Sequence, residues 1–165
     1  MTALFENGED AEKAYQELLD RGYGRDEISI LMSEDTRNTY QTTRSETQLG
    51  NKAAEGTGVG AALGGTVGAI IGAIAAIGTS LVIPGLGLIV AGPVAAALAG
   101  AGAGGATGGL IGALIGWGIP EETAQVYETG VKEGGIVLGF RPRTIDEANE
   151  VAEVWEKYNG KRLHR

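Results

Sequence analysis

The sequence predicts an α+β fold, and three observations carry the prediction. Charge is confined to the two ends: residues 1–55 hold 12 acidic and 6 basic side chains, residues 121–165 hold 9 and 7, and residues 56–120 hold none. Both ends alternate short apolar runs with helical periodicity. The uncharged centre holds 20 of the 29 glycines, many at a strict spacing of four. Folded domains normally scatter their charges, so this segregation divides the chain. Residues 1–32 read as the first half of an α+β domain, 33–55 as a polar linker, 56–119 as a glycine-zipper helical hairpin, and 120–165 as the second half of the domain.

Thr2-Ala3-Leu4-Phe5 is a short apolar run ended by Asn7-Gly8, which predicts a strand over 2–6. Asn7 or Gly8 caps the helix that follows, with Glu9, Asp10 and Glu12 near its positive end. Ala11, Ala14, Tyr15, Leu18 and Leu19 keep one buried face, and Gly22 ends the helix in the left-handed region. Ile28–Met32 is a second strand, which makes a β-α-β unit with parallel strands. Residues 33–52 are polar, contain five threonines and lack a core-forming pattern.

Beyond the centre, Pro120 with Glu121 and Glu122 opens a helix whose apolar face is Ala124, Tyr127 and Val131. Gly134-Gly135 stops it and Ile136–Phe140 is a third strand. Thr144 or Asp146 starts a last helix with Ala148, Val151, Ala152, Trp155 and Tyr158 on its buried face, ended by Asn159-Gly160. Residues 161–165 form a basic tail or a short closing strand. Each end alone is below the roughly 70–80 residues that sustain a core. Together they predict one ferredoxin-like sandwich, with the apolar hairpin inserted after its second strand.

The centre carries two glycine series, Gly60, Gly64, Gly68, Gly72 and Gly100, Gly104, Gly108, Gly112, Gly116. Four residues advance a helix by about 400°, so each series drifts slowly round one face. Val59, Leu63, Val67, Ile70, Ile71, Ile74 and Ile77 gather in one narrow arc of the first helix, and Leu110, Leu114 and Trp117 share one side of the second, with glycines covering most of the other. Each helix is thus a bulky ridge backed by a bare surface that lets another backbone approach. Every interior glycine costs a helix about 1 kcal/mol relative to alanine, so close packing or lipid must compensate. These glycines are therefore the expected helix-packing and oligomer interface. The bend between the helices is expected at Pro84, Gly85, Gly87 and Pro93.

Residues 56–79 would extend about 36 Å as a helix and 93–118 about 39 Å, against a hydrocarbon core of about 30 Å. Two spans would leave both charged ends on one side, with Trp117 and Tyr127 as interfacial aromatics. The expectation is a membrane-associated homo-oligomer with both termini cytoplasmic and membrane lipid as a partner. The alternatives are a cytoplasmic, soluble self-assembling protein that builds a shell, ring or filament, and an oligomeric pore.

Several chemistries lack support. The acidic balance argues against nucleic acid, which needs clustered Lys and Arg. The absence of cysteine removes disulfides and thiol catalysis. Residues 1–15 lack the basic start and apolar core of a secretory signal. His164 stands alone near the end of the chain, Glu121/Glu122 and Asp26/Glu27 serve as charge caps, and no metal-ligand spacing occurs. Gly100–Gly105 matches G-x-G-x-x-G but has no preceding strand and sits inside the longer glycine period. Arg141-Pro142-Arg143 reads as a charged strand end, and Glu147, Glu150, Glu153 and Glu156 as a solvated helix face. No enzyme activity, cofactor, metal or small-molecule substrate is expected.

One ordered set of residues spans nearly the whole chain. It comprises Leu4-Phe5 with Asp10-Ala11-Glu12, Gly22-Tyr23 and Ile28-Ser29-Ile30, the central Ile83-Pro84-Gly85-Leu86-Gly87 and Ala91–Leu98, and the exit Gly118–Ala124 with Tyr127-Glu128 and Gly134-Gly135. It resembles the bacterial general stress proteins described as heat-induced or low-temperature-induced. The resemblance implies a non-enzymatic stress protein with terminal α+β elements around a glycine-rich core, and it brings no catalytic residues.

Overall fold

A computed structural model of the chain describes residues 1–51, 70, 72, 74, 80–83, 87–100, 110–112 and 114–164, with side-chain surroundings omitted at 43–51, 80, 81, 83 and 97–100. Its elements are β1 (Thr2–Phe5), α1 (Gly8–Asp20), β2 (Ser29–Ser33), α2 (Glu34–Asn51), β3 (Ser80–Ile83), β4 (Leu88–Ala91), α3 (Pro93–Gly100), α4 (Glu121–Lys132), β5 (Ile136–Gly139), α5 (Ile145–Lys157) and β6 (Lys161–His164). Residues 110–112 and 114–116 are also helical. The strands form one sheet in the order β3-β4-β2-β5-β1-β6, antiparallel at every pairing. The fold is α+β, as the patterning of the ends predicts.

The helix ends follow local rules. Asn7 accepts a hydrogen bond from the Glu9 N–H at 2.9 Å, and Glu9 and Asp10 occupy the first turn of α1. Gly22, with φ +83°, closes α1, and the Tyr23 N–H reaches the Leu18 carbonyl at 3.0 Å. The Arg143 guanidinium donates to the Gly22 carbonyl at 3.1 Å and lies 4.3 Å from the centre of the Tyr23 ring. The Arg141–Arg143 turn thus helps cap α1. Thr144 caps α5 by accepting from the Glu147 N–H at 3.1 Å.

Because side chains alternate across a sheet, β1, β2, β4 and β5 feed two cores. Ala3, Phe5, Ile30, Met32, Ile89, Ala91, Ile136 and Leu138 face α1 and α5. Trp155 anchors that side. Its ring packs edge-on against Phe5 and Phe140, each at 5.5 Å, and its indole N–H donates to the Ala14 carbonyl at 3.3 Å. Leu4, Leu31, Leu88, Val90 and Val137 face the opposite way, toward α3, residues 110–119 and α4. The sheet therefore lies between two helical layers.

Three expectations need correction. First, residues 34–51 of the expected linker are helical. Ser33 accepts from the Thr36 N–H at 3.0 Å, and Thr39 and Thr42 turn their hydroxyls back to carbonyls four residues earlier. Tyr40 packs against Gly8, where any side chain would collide with its ring. A polar helix is held here by a tertiary contact that periodicity does not reveal.

Second, the centre is not a simple helical hairpin. The expected bend contains β3 and β4, and β4 pairs with β2 from Ile30↔Ala91 to Ser33↔Leu88. The two glycine-rich segments are separated by the sheet where they are described. Ile70 and Ile74 join the core on the α1 side, whereas Leu110 and Leu114 join the core on the α4 side. The described ridge residues Ile70, Ile74, Leu110 and Leu114 thus pack into the cores on the two faces of the sheet, where they bury apolar surface. Among the described residues, no helix is long and apolar enough to cross a membrane.

Third, Tyr127 is no interfacial anchor. It is fully buried and bonded to the Thr2 hydroxyl at 3.0 Å, and its own hydroxyl donates to the Arg162 carbonyl at 2.6 Å. Trp117 is half-buried and covers Gly139.

Candidate functional site

The glycine interface expected from the sequence is visible in part. Gly60, Gly64, Gly68, Gly104 and Gly108 lie outside the described residues, as do Pro84 and Gly85 of the bend. Gly100 ends α3. Gly72 is helical and half-buried, between the buried Ile70 and Ile74. The Ile70 N–H points at both carboxylate oxygens of Glu12, at 3.3 and 3.4 Å. Glu12 is itself only 5% exposed, so α1 grips the first glycine-rich segment through a buried carboxylate.

The second segment shows its two faces clearly. Leu110 and Leu114 are buried, while Gly112, Ile115 and Gly116 are exposed, Ile115 by 44%. Among the described residues, a Cβ added to Gly112 or Gly116 would meet no atom beyond its own helix backbone within 4 Å. The segment ends where Gly118 turns to φ +88° and the Ile119 N–H bonds to the Leu114 carbonyl at 3.0 Å. Leu110 and Leu114 of the predicted ridge thus pack into the chain's own core, and no described residue covers the bare face at Gly112 and Gly116.

In the bend, Gly87 has φ +60°, and Pro93 is the first residue of α3, where its missing N–H costs nothing. Gly92, at φ +82°, passes so close to β2 that a Cβ would strike the Ile28 carbonyl oxygen. The Ser29 hydroxyl of β2 accepts from the Val94 N–H at 3.3 Å and caps α3. Sequence reasoning missed β3 and β4, although Leu81-Val82-Ile83 and Leu88-Ile89-Val90 flank a four-residue Pro/Gly loop, which is a hairpin signature.

Two surface clefts stand apart from the glycine face. One, of about 250 Å³, is lined by Asp26, Glu27, Pro93, Trp117, Phe140 and Arg141. The other, of about 330 Å³, runs between α4 and β1 past Glu6, Glu122 and Glu133. Neither joins a nucleophile to a base, and His164 lies in β6, away from both linings. Among the described residues no group of His, Asp or Glu is arranged to hold a metal ion. Burial pushes the Tyr15 and Tyr127 hydroxyls up to about 12, so both stay protonated and act as packing groups. Among the described residues the arrangement offers surfaces for association.

Comparison with known proteins returns no matching family model, no similar curated protein and no similar solved structure.

Proposed function

We propose that the chain is a non-enzymatic stress-response protein that self-associates through the glycine faces of its central segments. One observation carries the self-association: Gly112, Ile115 and Gly116 form a helical face that no described part of the chain covers, while Leu110 and Leu114 behind it are buried in the core. A bare face costs helix stability, and a close-packed copy would offset that cost. The stress-response part rests on the resemblance to the general stress proteins alone.

A protein assembly fits the geometry better than two membrane spans joined at the bend. β4 hydrogen-bonds to β2, which belongs to the same sheet as the strands of both chain ends. Crossing lipid as one hairpin would carry the bend to the far side and strip β4 from that sheet. We also infer that β6-β1-β5-β2 with α1 and α5 is a ferredoxin-like unit. In support, β1-α1-β2 and β5-α5-β6 each have one strand of the other unit between their own two, and both helices pack on one face. On this reading, β4 and β3 extend that unit.

The test is sedimentation of the full chain without detergent, together with vesicle flotation. A defined oligomer that stays in the aqueous fraction, and that Gly112→Leu with Gly116→Leu reduces to smaller species, is the expected result. A monomer at every concentration would sink the proposal, and flotation with vesicles would restore the membrane setting.

A further inference from the structure

We propose that the outer edge of β3 pairs antiparallel with β3 of a second copy, so that one sheet runs through both chains. The inference rests on the self-association reading and names a second contact within it. β3 is the last strand on its side of the sheet, pairing with β4 in an unbroken register from Ser80↔Ala91 to Ile83↔Leu88. Among the described residues nothing pairs with its other edge. Alternate residues of such a strand turn their N–H and C=O groups outward, and those groups need a strand partner or water.

The opposite edge of the sheet shows what a guarded edge looks like in this molecule. β6 carries the exposed Lys161 and Arg162, its register against β1 is broken, and Arg162 sits at φ +53°. The Arg162 carbonyl is already taken by the Tyr127 hydroxyl. Charge, a bulge and an occupied carbonyl all discourage edge pairing. β3 carries no charge, and its register against β4 is unbroken. Its sequence, Ser-Leu-Val-Ile, is uncharged and rich in β-branched residues, and Val82 is 45% exposed.

A second copy is the occupant that this chemistry favours. No charged residue lies between 56 and 120, so two β3 edges meet without repulsion and with no charge pattern that would select a different partner. The sheet is antiparallel throughout, and a strand laid antiparallel on its own copy closes a two-fold interface. The guarded β6 edges then end the combined sheet at both sides. A four-residue pairing is small, so it acts together with the glycine faces.

The test uses the full chain. Amide exchange is measured across Ser80–Ile83 at low and high protein concentration, and sedimentation is compared for the wild type and Val82→Lys. The expected result is exchange slowed about tenfold or more in β3 as the oligomer forms. Val82→Lys places like charges across the pair and should shift the oligomer to smaller species. If the wild type assembles but β3 exchange does not change with concentration, and Val82→Lys keeps the same mass, the edge pairing is wrong and self-association stands. The edge pairing is equally wrong if β3 amides are protected at every concentration, because the edge is then covered within one chain. A wild type that never associates overturns both readings. Reading exchange on the unmodified chain keeps the test decisive if Val82→Lys folds poorly.

Discussion

Two sets of glycines in this chain do opposite things. Gly92, Gly130, Gly135 and Gly139 follow no period, yet each sits where a Cβ would press on a neighbour: the Ile28 carbonyl, Leu4, the Gly130 carbonyl and the Trp117 ring respectively. Gly112 and Gly116 belong to a strict four-residue series, and among the described residues a Cβ on either would meet no neighbour. At Gly112 and Gly116 the regular spacing marks a surface, whereas these four irregularly spaced glycines mark tight points of the monomer. A glycine required inside a fold is required by one particular contact, and such contacts have no period. A glycine repeat makes a uniform face, which suits another backbone.

Substitutions can break or sharpen that contrast. The largest effect is expected at Gly92. Alanine there meets a positive φ of +82° and backbone atoms of Ile28 and Ser29 at 3.0 Å, neither of which can move without pulling β2. Gly92→Ala should cost about 3–5 kcal/mol in denaturant unfolding, from strain and overpacking together. A cost below about 1 kcal/mol would show that the β2–α3 approach is looser than described.

Gly139→Ala comes next, at about 2 kcal/mol, because its Cβ displaces the half-buried Trp117 ring, which has room to swing outward. Trp117 emission should shift to the red, and unchanged emission would mean that the ring does not lie on Gly139. Tyr127→Phe should cost about 1–2 kcal/mol by leaving the Thr2 hydroxyl and Arg162 carbonyl without that partner.

The pH dependence has a definite sign. Tyr15 and Tyr127 are raised by burial from 10.0 to about 12. A folded value above the unfolded one means that the stability is fully present below pH 10 and is lost as pH rises through 12. Thermal melts should therefore fall steeply in that window, and less steeply in Tyr127→Phe. A flat profile across that window would show that the two hydroxyls reach solvent.

The smallest effect on the monomer is expected on the regular series. Gly116→Ala should leave stability unchanged or raise it by up to about 1 kcal/mol through helix propensity. A loss of about 2 kcal/mol or more would mean that the face is already packed within one chain, which would erase the distinction between the two sets.

Legibility followed the range of the interactions. The α1 boundaries, a cap at Asn7 or Gly8 and the left-handed Gly22 were readable because caps and buried faces depend on residues a few positions apart, and the structure selects Asn7. The start of α5 at Thr144 or Asp146 and its Trp155 face were readable for the same reason, and the structure selects Thr144 as the cap. The helix over 34–51 was not, since its apolar anchor is Tyr40 against Gly8, a contact between separate elements. β3 and β4 were hidden by their surroundings. Leu81–Ile83 and Leu88–Val90 lie inside a stretch with almost no polar contrast, where periodicity cannot tell strand from helix. Within the candidate site, the ridge and bare face at 110–116 were legible from spacing, but what the ridge touches was not.

By itself the sequence determined where charge is absent, which residues share a helix face and where most helices of the ends begin and stop. Each follows from the geometry of a few consecutive turns. Only the tertiary structure decided that the central bend becomes two strands beside β2, and that Ile70 and Leu110 settle on opposite sides of one sheet. The reason is the reach of the contacts. A pair such as Ile30↔Ala91 joins residues far apart in the chain, and strand pairing reads backbone hydrogen bonds, which every residue except proline can offer, so no local pattern of side chains names the partner.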